Sequence, residues 1–464
     1  MQKVLPMKKI LVILFAIVSL AAALLVVGNK LAQNVLSEKV ALLSENGIEV
    51  KSEREEISYF QTKKHYEFLL KDSEKFAAYL YEYSHSKLPL YANEMIEGIL
   101  VGVDVTYNNI PFINDVKIDA YPMALSQIVM DEIQQEDQDF YTFVNEFFEK
   151  KGILYHLQYD ILSKDFSGYV KDIHEQYILQ DDTNITANLS GMTYSGSGDF
   201  IAPNIISSKI DLISFKAFKD AVEVKFDLSG LHSESEFKSK SVYASSAALE
   251  NIALSMSGDE NISMYAKNLQ MSFSSDAEES FAQIYAKTAF EELGVHVELL
   301  HAKMYDFNYD IALRDLDKDA LEELQDIATQ ANRASSGGLE LQMKESLIKL
   351  LSRGVTLGID DFSFKKLVLK DTQDLSGASI HAQIAFKEDA SLATKLVYTP
   401  ALLIQNLDTV IKIKISREIF NKINDNVSMT TLAKEYAKEE GDNFVFEISY
   451  HNGELMVNGK VFKS

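Results

Sequence analysis

The chain has 464 residues, 47% hydrophobic and 10% aromatic, with 45 basic side chains against 69 acidic ones and no cysteine. That is enough chain for two or three domains with cores of their own, and too much apolar content for a disordered polypeptide. A net charge of −24 repels phosphate backbones and argues against nucleic-acid binding through a basic face, and the lack of cysteine excludes disulfides and thiolate metal sites.

Ile10–Val27 is an apolar run of eighteen residues broken only by Ser19 and preceded by Lys8-Lys9. At about 1.5 Å per residue it reaches about 27 Å, near the hydrocarbon thickness of a bilayer, and the lysines ahead of it predict a cytoplasmic amino terminus. The expectation is a tip at 1–9, a transmembrane helix at 10–27 that anchors the chain in a bacterial inner membrane, and a membrane-proximal helix within 28–45. A cleaved signal peptide with Ala21-Ala22-Ala23 at its small-residue site is the competing reading; an apolar run this long favours the uncleaved anchor.

Residues 46–275 read as a β-rich region on the periplasmic side. Charged residues interleave with Ile48, Val50, Ile57, Tyr59, Tyr66 and Phe68 in a first strand pair, 72–97 is more helical, and 99–112 is a strand ending at Asn108-Asn109-Ile110-Pro111. Ile128, Phe140, Phe143, Phe147 and Phe148 predict one amphipathic helix over 126–151, closed by Gly152, with its aromatics in a core. From 153 to 275 short alternating segments carry a weak echo: Asn188-Leu189-Ser190-Gly191, Asp227-Leu228-Ser229-Gly230, Ser255-Met256-Ser257-Gly258 and later Asp374-Leu375-Ser376-Gly377. Unequal spacing points to strand-turn units of one antiparallel sheet and not to a solenoid.

Residues 276–464 read as an α+β region. Helices are expected at 278–293, 317–333 and 339–352, strands at 355–370, 379–386 and 409–415, short helices at 417–425 and 428–439, and a closing hairpin. The whole is expected to be α+β: an N-terminal transmembrane helix, then long antiparallel β-sheet covered by several packed amphipathic helices.

The closing segment contains Gly453 and Gly459-Lys460, but a phosphate-binding loop needs four intervening residues and a hydroxyl after the lysine, where five intervene and Val461 follows. Asn452-Gly453 between alternating apolar residues is instead a type I′ hairpin signal. Asp315-Leu316-Asp317-Lys318-Asp319 starts like a calcium loop but has Ala320 and Asp326 where glycine and a bidentate glutamate are required, so the acidic residues read as a helix cap. His296 and His301, five apart, fall on different faces of any single helix or strand and do not converge on one metal there. No nucleophile elbow, paired metalloprotease histidines or dinucleotide fingerprint occurs. No catalytic, cofactor-binding or metal residue is assigned.

In order along the chain stand the basic start and apolar segment, Asn46-Gly47-Ile48-Glu49-Val50 opening a strand pair, the helix-then-strand passage from Asp306 to Ser363, and Tyr450-His451-Asn452-Gly453-Glu454-Leu455 with Asn458-Gly459. In this order they resemble the YdgA-like family of bacterial envelope proteins. The chain departs from that family's usual Arg-Gly-aromatic step at Glu55-Glu56-Ile57, and from its His-Gly-Pro turn at Asn109-Ile110-Pro111. The resemblance implies an inner-membrane anchor and a large periplasmic body, with no established reaction or cofactor. The expected function is a non-enzymatic binding or scaffolding module that holds a lipid or an envelope polypeptide. The alternative is an envelope hydrolase whose site, built around His156, His174, His296 or His301, forms only in the fold.

Overall fold

The computed structural model of the protein describes residues 40–59, 61–84, 95–108, 115–198, 203–239, 241–258, 261–298, 300–331, 339–369, 375–389, 391, 406–426 and 436–462. The expected α+β class is corrected: the protein is mostly antiparallel sheet, 65% strand against 19% helix. Among the described residues no helix is long and apolar enough to cross a membrane. The tip at 1–9, the span at 10–27 and all of 28–45 up to residue 39 lie outside the described residues, as does most of 428–439, whose last residues belong to a strand.

The chain divides into two compact units, Met1–Ala221 and Val222–Ser464. In the first, β1 (Ile48–Ile57), β2 (Gln61–Leu70), β3 (Leu100–Asn108), β4 (Asp115–Ala124), β5 (Tyr155–Asp160) and β6 (Asp165–Val170) pair antiparallel in that order. β7 (Ile173–Ile178), β8 (Asn184–Ser190), β9 (Thr193–Gly198) and β10 (Pro203–Lys219) complete it. The register runs straight from Tyr169↔Thr193 in β6–β9 to Ile173↔Leu189 in β7–β8, so these four pieces form one long hairpin with a break at its middle. β10 lies along both β8 and β9.

Period-two alternation gives this sheet one apolar side. Tyr66, Phe68, Leu70, Val101, Val103, Val105, Val116, Ile118, Tyr155, Leu157 and Tyr159 form a buried cluster. The helices α1 (Ser73–Ser84), α2 (Gln127–Glu136) and α3 (Gln138–Glu149) supply Phe76, Val129, Met130, Val144 and Phe148 to the same cluster. The single helix expected over 126–151 is two helices because Asp137 leaves helical conformation at φ −157°. Its buried carboxylate accepts from Phe140 N at 2.8 Å, capping α3, and from Gln180 N at 2.8 Å. Those bonds hold the break against the helical periodicity on either side of it.

The second unit is a meander of long strands: β11 (Val222–Phe237), β12 (Tyr243–Ser257), β13 (Ile262–Ala277), β14 (Phe281–Val297), β15 (Leu300–Asp317), β16 (Val355–Leu369), β17 (Leu375–Phe386), β18 (Leu407–Ser416) and β20 (Asn443–His451). Each pairs antiparallel with the next, and the far edge of β20 is taken by β19 (Lys438–Glu440) and β21 (Glu454–Val457), the latter paired with β22 (Lys460–Val461). The helix expected at 278–293 is strand β14. Its Ala, Glu and Lys residues favour a helix locally, but pairing along its length with β13 and β15 overrides a propensity worth only tenths of a kcal/mol per residue. Helices α4 (Lys318–Ala331), α5 (Leu339–Ser352) and α6 (Arg417–Asn426) are present. Asp317, 1% exposed, caps α4 through Ala320 N at 2.8 Å and meets Arg353 Nε at 3.0 Å. The closing hairpin pairs His451 with Glu454 and has Asn452 and Gly453 at φ 50° and 86°. That is the type I′ turn expected.

Candidate binding face

The long strands of the second unit place residues directly opposite one another in rows that cross the sheet, and each row lies on one side. Phe226, Leu254, Met264, Val295, Ala302 and Leu369 form one such row. Leu228, Ile252, Ala266, Leu293, Met304, Leu367 and Leu375 form the next on that side. Towards the other end of the strands, Phe273, Ala286, Ile311, Ile359, Ala382, Ile411, Ile448 and Val457 lie in register across eight strands. None of these rows contains a charged residue.

Between the two apolar fields runs a line of bends. Gly230, Asn268 and Asp306 have φ of 66°, 49° and 50°, one in each alternate strand, evenly spaced along the chain. No residue is inserted there, since pairing resumes in the same register on both sides of each bend. The apolar positions change parity at this line: Ile262, Met264 and Ala266 are followed by Leu269, Met271 and Phe273, and Leu300, Ala302 and Met304 by Phe307, Tyr309 and Ile311. A residue in the left-handed region advances the side-chain direction by less than the half-turn of a strand, so a change of parity at that residue keeps the apolar set on one side. Glycine has no steric penalty there, and asparagine and aspartate tolerate the conformation best among the others. Asn268 donates to Glu291 across the bend, and Lys365 lies 3.5 Å from Asp306.

This apolar side is left largely open. Leu254, Met264, Met271, Phe273 and Leu300 are 40–47% exposed, although Leu254 and Met264 each lie between apolar partners on both neighbouring strands. The helices of this unit pack towards β14, β15, β17, β18 and β20, where Phe420 of α6 stacks on Phe446 and meets Phe444 at a tilt. The buried cluster of the first unit has helices across its sheet; on β12 and β13 Leu254, Met264, Met271 and Phe273 are exposed, while Leu249 is buried and Leu269 half-buried.

The reverse side of the second unit is polar. Tyr265 donates to Glu292, which also meets Lys267 Nζ at 2.7 Å and Lys303 Nζ at 3.8 Å. The hydrogen bond from Lys267, then that from Tyr265, holds the Glu292 carboxyl below the usual range, while desolvation and Glu292 push the Tyr265 phenol up.

Of the histidines singled out in the sequence, His156 Nδ1 lies 2.7 Å from Asp119 and its ring lies 5.0 Å from that of Tyr169; His174 pairs with Asn188 at 3.2 Å. His65, Asp104, Asp119 and His156 form one polar row across β2–β5, with His65 Nδ1 and Lys151 Nζ each 2.7 Å from Asp104. Two depressions in the first unit, around Glu49, Lys71 and Glu97 and around Glu67, Leu100 and Ile128, are lined by no histidine. His296 and His301 are brought together, which corrects the expectation from their spacing: a turn follows Val297, so they lie on facing strands and not on one element.

A family model described as a bacterial protein of unknown function (DUF945) matches residues 175–463. The chain belongs to the DUF945 family. In this DUF945 protein the matched span takes in every strand of the second unit and so the whole open apolar side, whereas His65, Asp104, Asp119 and His156 all precede it. No curated protein and no solved structure matches the chain.

Proposed function

We propose that this DUF945 protein is a non-enzymatic binding module of the bacterial cell envelope that lays lipid acyl chains along the apolar side of β11–β16. The observation that carries the reading is the pair of largely apolar fields on either side of the line of bends, in which hydroxyl side chains such as Ser245 and Thr288 stand among the apolar ones, with Met264 at 47% and Leu254 at 45% exposure. A monomeric surface seldom leaves apolar patches of this extent without a ligand for them. Each strand from β12 to β18 is paired on both edges, so the face offers a polypeptide no free main-chain groups to bond. A hydrocarbon chain requires none. Burying about a dozen methylenes at ~0.8 kcal/mol each gives about 10 kcal/mol before ordering costs, ample for retention through purification.

The apolar segment 10–27 behind Lys8-Lys9 supports the rest of the reading: attachment to the inner membrane with both described units on the periplasmic side, as the likeness to the YdgA-like family implies. Purification of the full chain from membranes, followed by denaturation, solvent extraction and mass spectrometry, tests it. Acyl lipids enriched over a detergent-matched membrane protein support the proposal; a protein free of lipid, or one carrying a stoichiometric polypeptide instead, overturns it.

A further inference from the structure

We propose that His296 and His301 form a two-imidazole site for a divalent transition-metal ion of the zinc, copper and nickel class, at the end of the β14–β15 hairpin. The two residues are direct cross-strand partners, one pair in from Val297↔Leu300 at the turn. Opposed residues of an antiparallel pair hold their Cβ atoms about 5 Å apart on one side of the sheet. The rings are already in contact, with centroids 3.7 Å apart and planes at 32°.

Metal–imidazole bonds are about 2.0–2.1 Å, which places two nitrogens of one coordination sphere about 3 Å apart. Rings in van der Waals contact reach that separation by rotating about their own side-chain bonds, with no movement of the strands. Both histidines are half-buried, so their orientation is restricted while one side of the pair remains open to water, which completes the coordination. Imidazole is the donor this class of metal prefers, and the chain contains no cysteine to compete for it. The pair lies on the polar side of the sheet, beside Ser263 opposite His296, and is independent of the apolar face.

The test is calorimetric titration of the full chain with zinc chloride and, separately, nickel chloride at pH 7.5 in a non-coordinating buffer. One ion per chain is expected, with affinity lowered at least tenfold by His296→Asn and equally by His301→Asn, and unchanged by the control His174→Asn. Diethyl pyrocarbonate footprinting of the unmutated protein gives a second readout that does not depend on the variants folding: zinc should shield His296 and His301 and leave His174 reactive. Equal titration curves for the unmutated protein and the His296→Asn/His301→Asn double variant, or no shielding by zinc, overturn the proposal.

Discussion

Gly230, at φ 66°, stands so close to Glu250 on the neighbouring strand that a Cβ on the glycine would overlap the Cγ and Cδ of the glutamate. The conformation is the costlier part of that relationship, since Glu250 is exposed and its side chain can swing away. Gly230→Ala is therefore expected to cost about 1–2 kcal/mol, mostly the left-handed backbone term. Gly230→Asn should cost less, because Asn268 and Asp306 occupy the same place in β13 and β15. Urea unfolding of the two variants gives the order directly.

Phe68 and Phe273 are both sheet phenylalanines in apolar rows, but Phe68 is 3% exposed and stacks on Tyr66 at 5.5 Å, while Phe273 is 40% exposed. Phe68→Ala should destabilise the first unit by about 3–5 kcal/mol. Phe273→Ala should cost the lipid-free second unit about 1 kcal/mol. Denaturant midpoints of the two variants, measured on delipidated protein, test whether one sheet is covered and the other open.

Asp104 is pushed up by burial, but hydrogen bonds from Lys151 and His65 outweigh this and leave its carboxyl below the ordinary range. A carboxyl depressed in the folded state adds stability above its unfolded value, near pH 4, and that stability is lost as pH falls through the folded value. Lys151→Met should thus lower stability at pH 7 and converge with the unmutated protein once the pH has fallen below the depressed folded value of Asp104. The ion pair is 33–40% exposed, so the difference at pH 7 should be about 1 kcal/mol or less. Thermal unfolding across pH 2–7 reads it.

Asn458, at φ 47°, donates from Nδ2 to Tyr436 O at 2.6 Å and Val445 O at 2.9 Å, and accepts from Glu447 N at 2.9 Å through Oδ1. It ties the last turn to β20 and to the segment before β19. Asn458→Ala strands these three backbone groups and should cost about 2–3 kcal/mol. Asn458→Asp keeps the acceptor and the backbone tolerance but loses both donors, and should fall between the two. Hydrogen exchange of the Glu447 and Val457 amides will show whether the loss is local.

What was legible in the sequence was what local chemistry decides. Asn452-Gly453 specified its own turn, Asp317 its helix cap, and Leu339 to Leu351 a helix. β14 is not legible locally because Ala286, Lys287, Glu291 and Glu292 carry helix propensity, while the pairing that makes them a strand comes from β13 and β15. The echoing glycines suggest turns, yet Gly191 and Gly230 are bends within long strand ladders, and the pattern continues at Asn268 and Asp306, which do not look like glycine. The signal was present as a change of parity in the apolar positions on either side of each bend. A spacing of five separates His296 from His301 on any single element; the turn after Val297 folds that spacing into a contact.

The measurement that bears most directly on the account is photocrosslinking of the full chain with a diazirine-bearing fatty acid, followed by peptide mapping. Adducts should concentrate at Leu254, Met264, Met271 and Phe273, and Leu254→Lys with Met264→Lys should remove them while the protein stays folded. Adducts confined to the reverse side, at Lys225, Ser255 or Tyr265, or labelling unaffected by the two lysines, would contradict it.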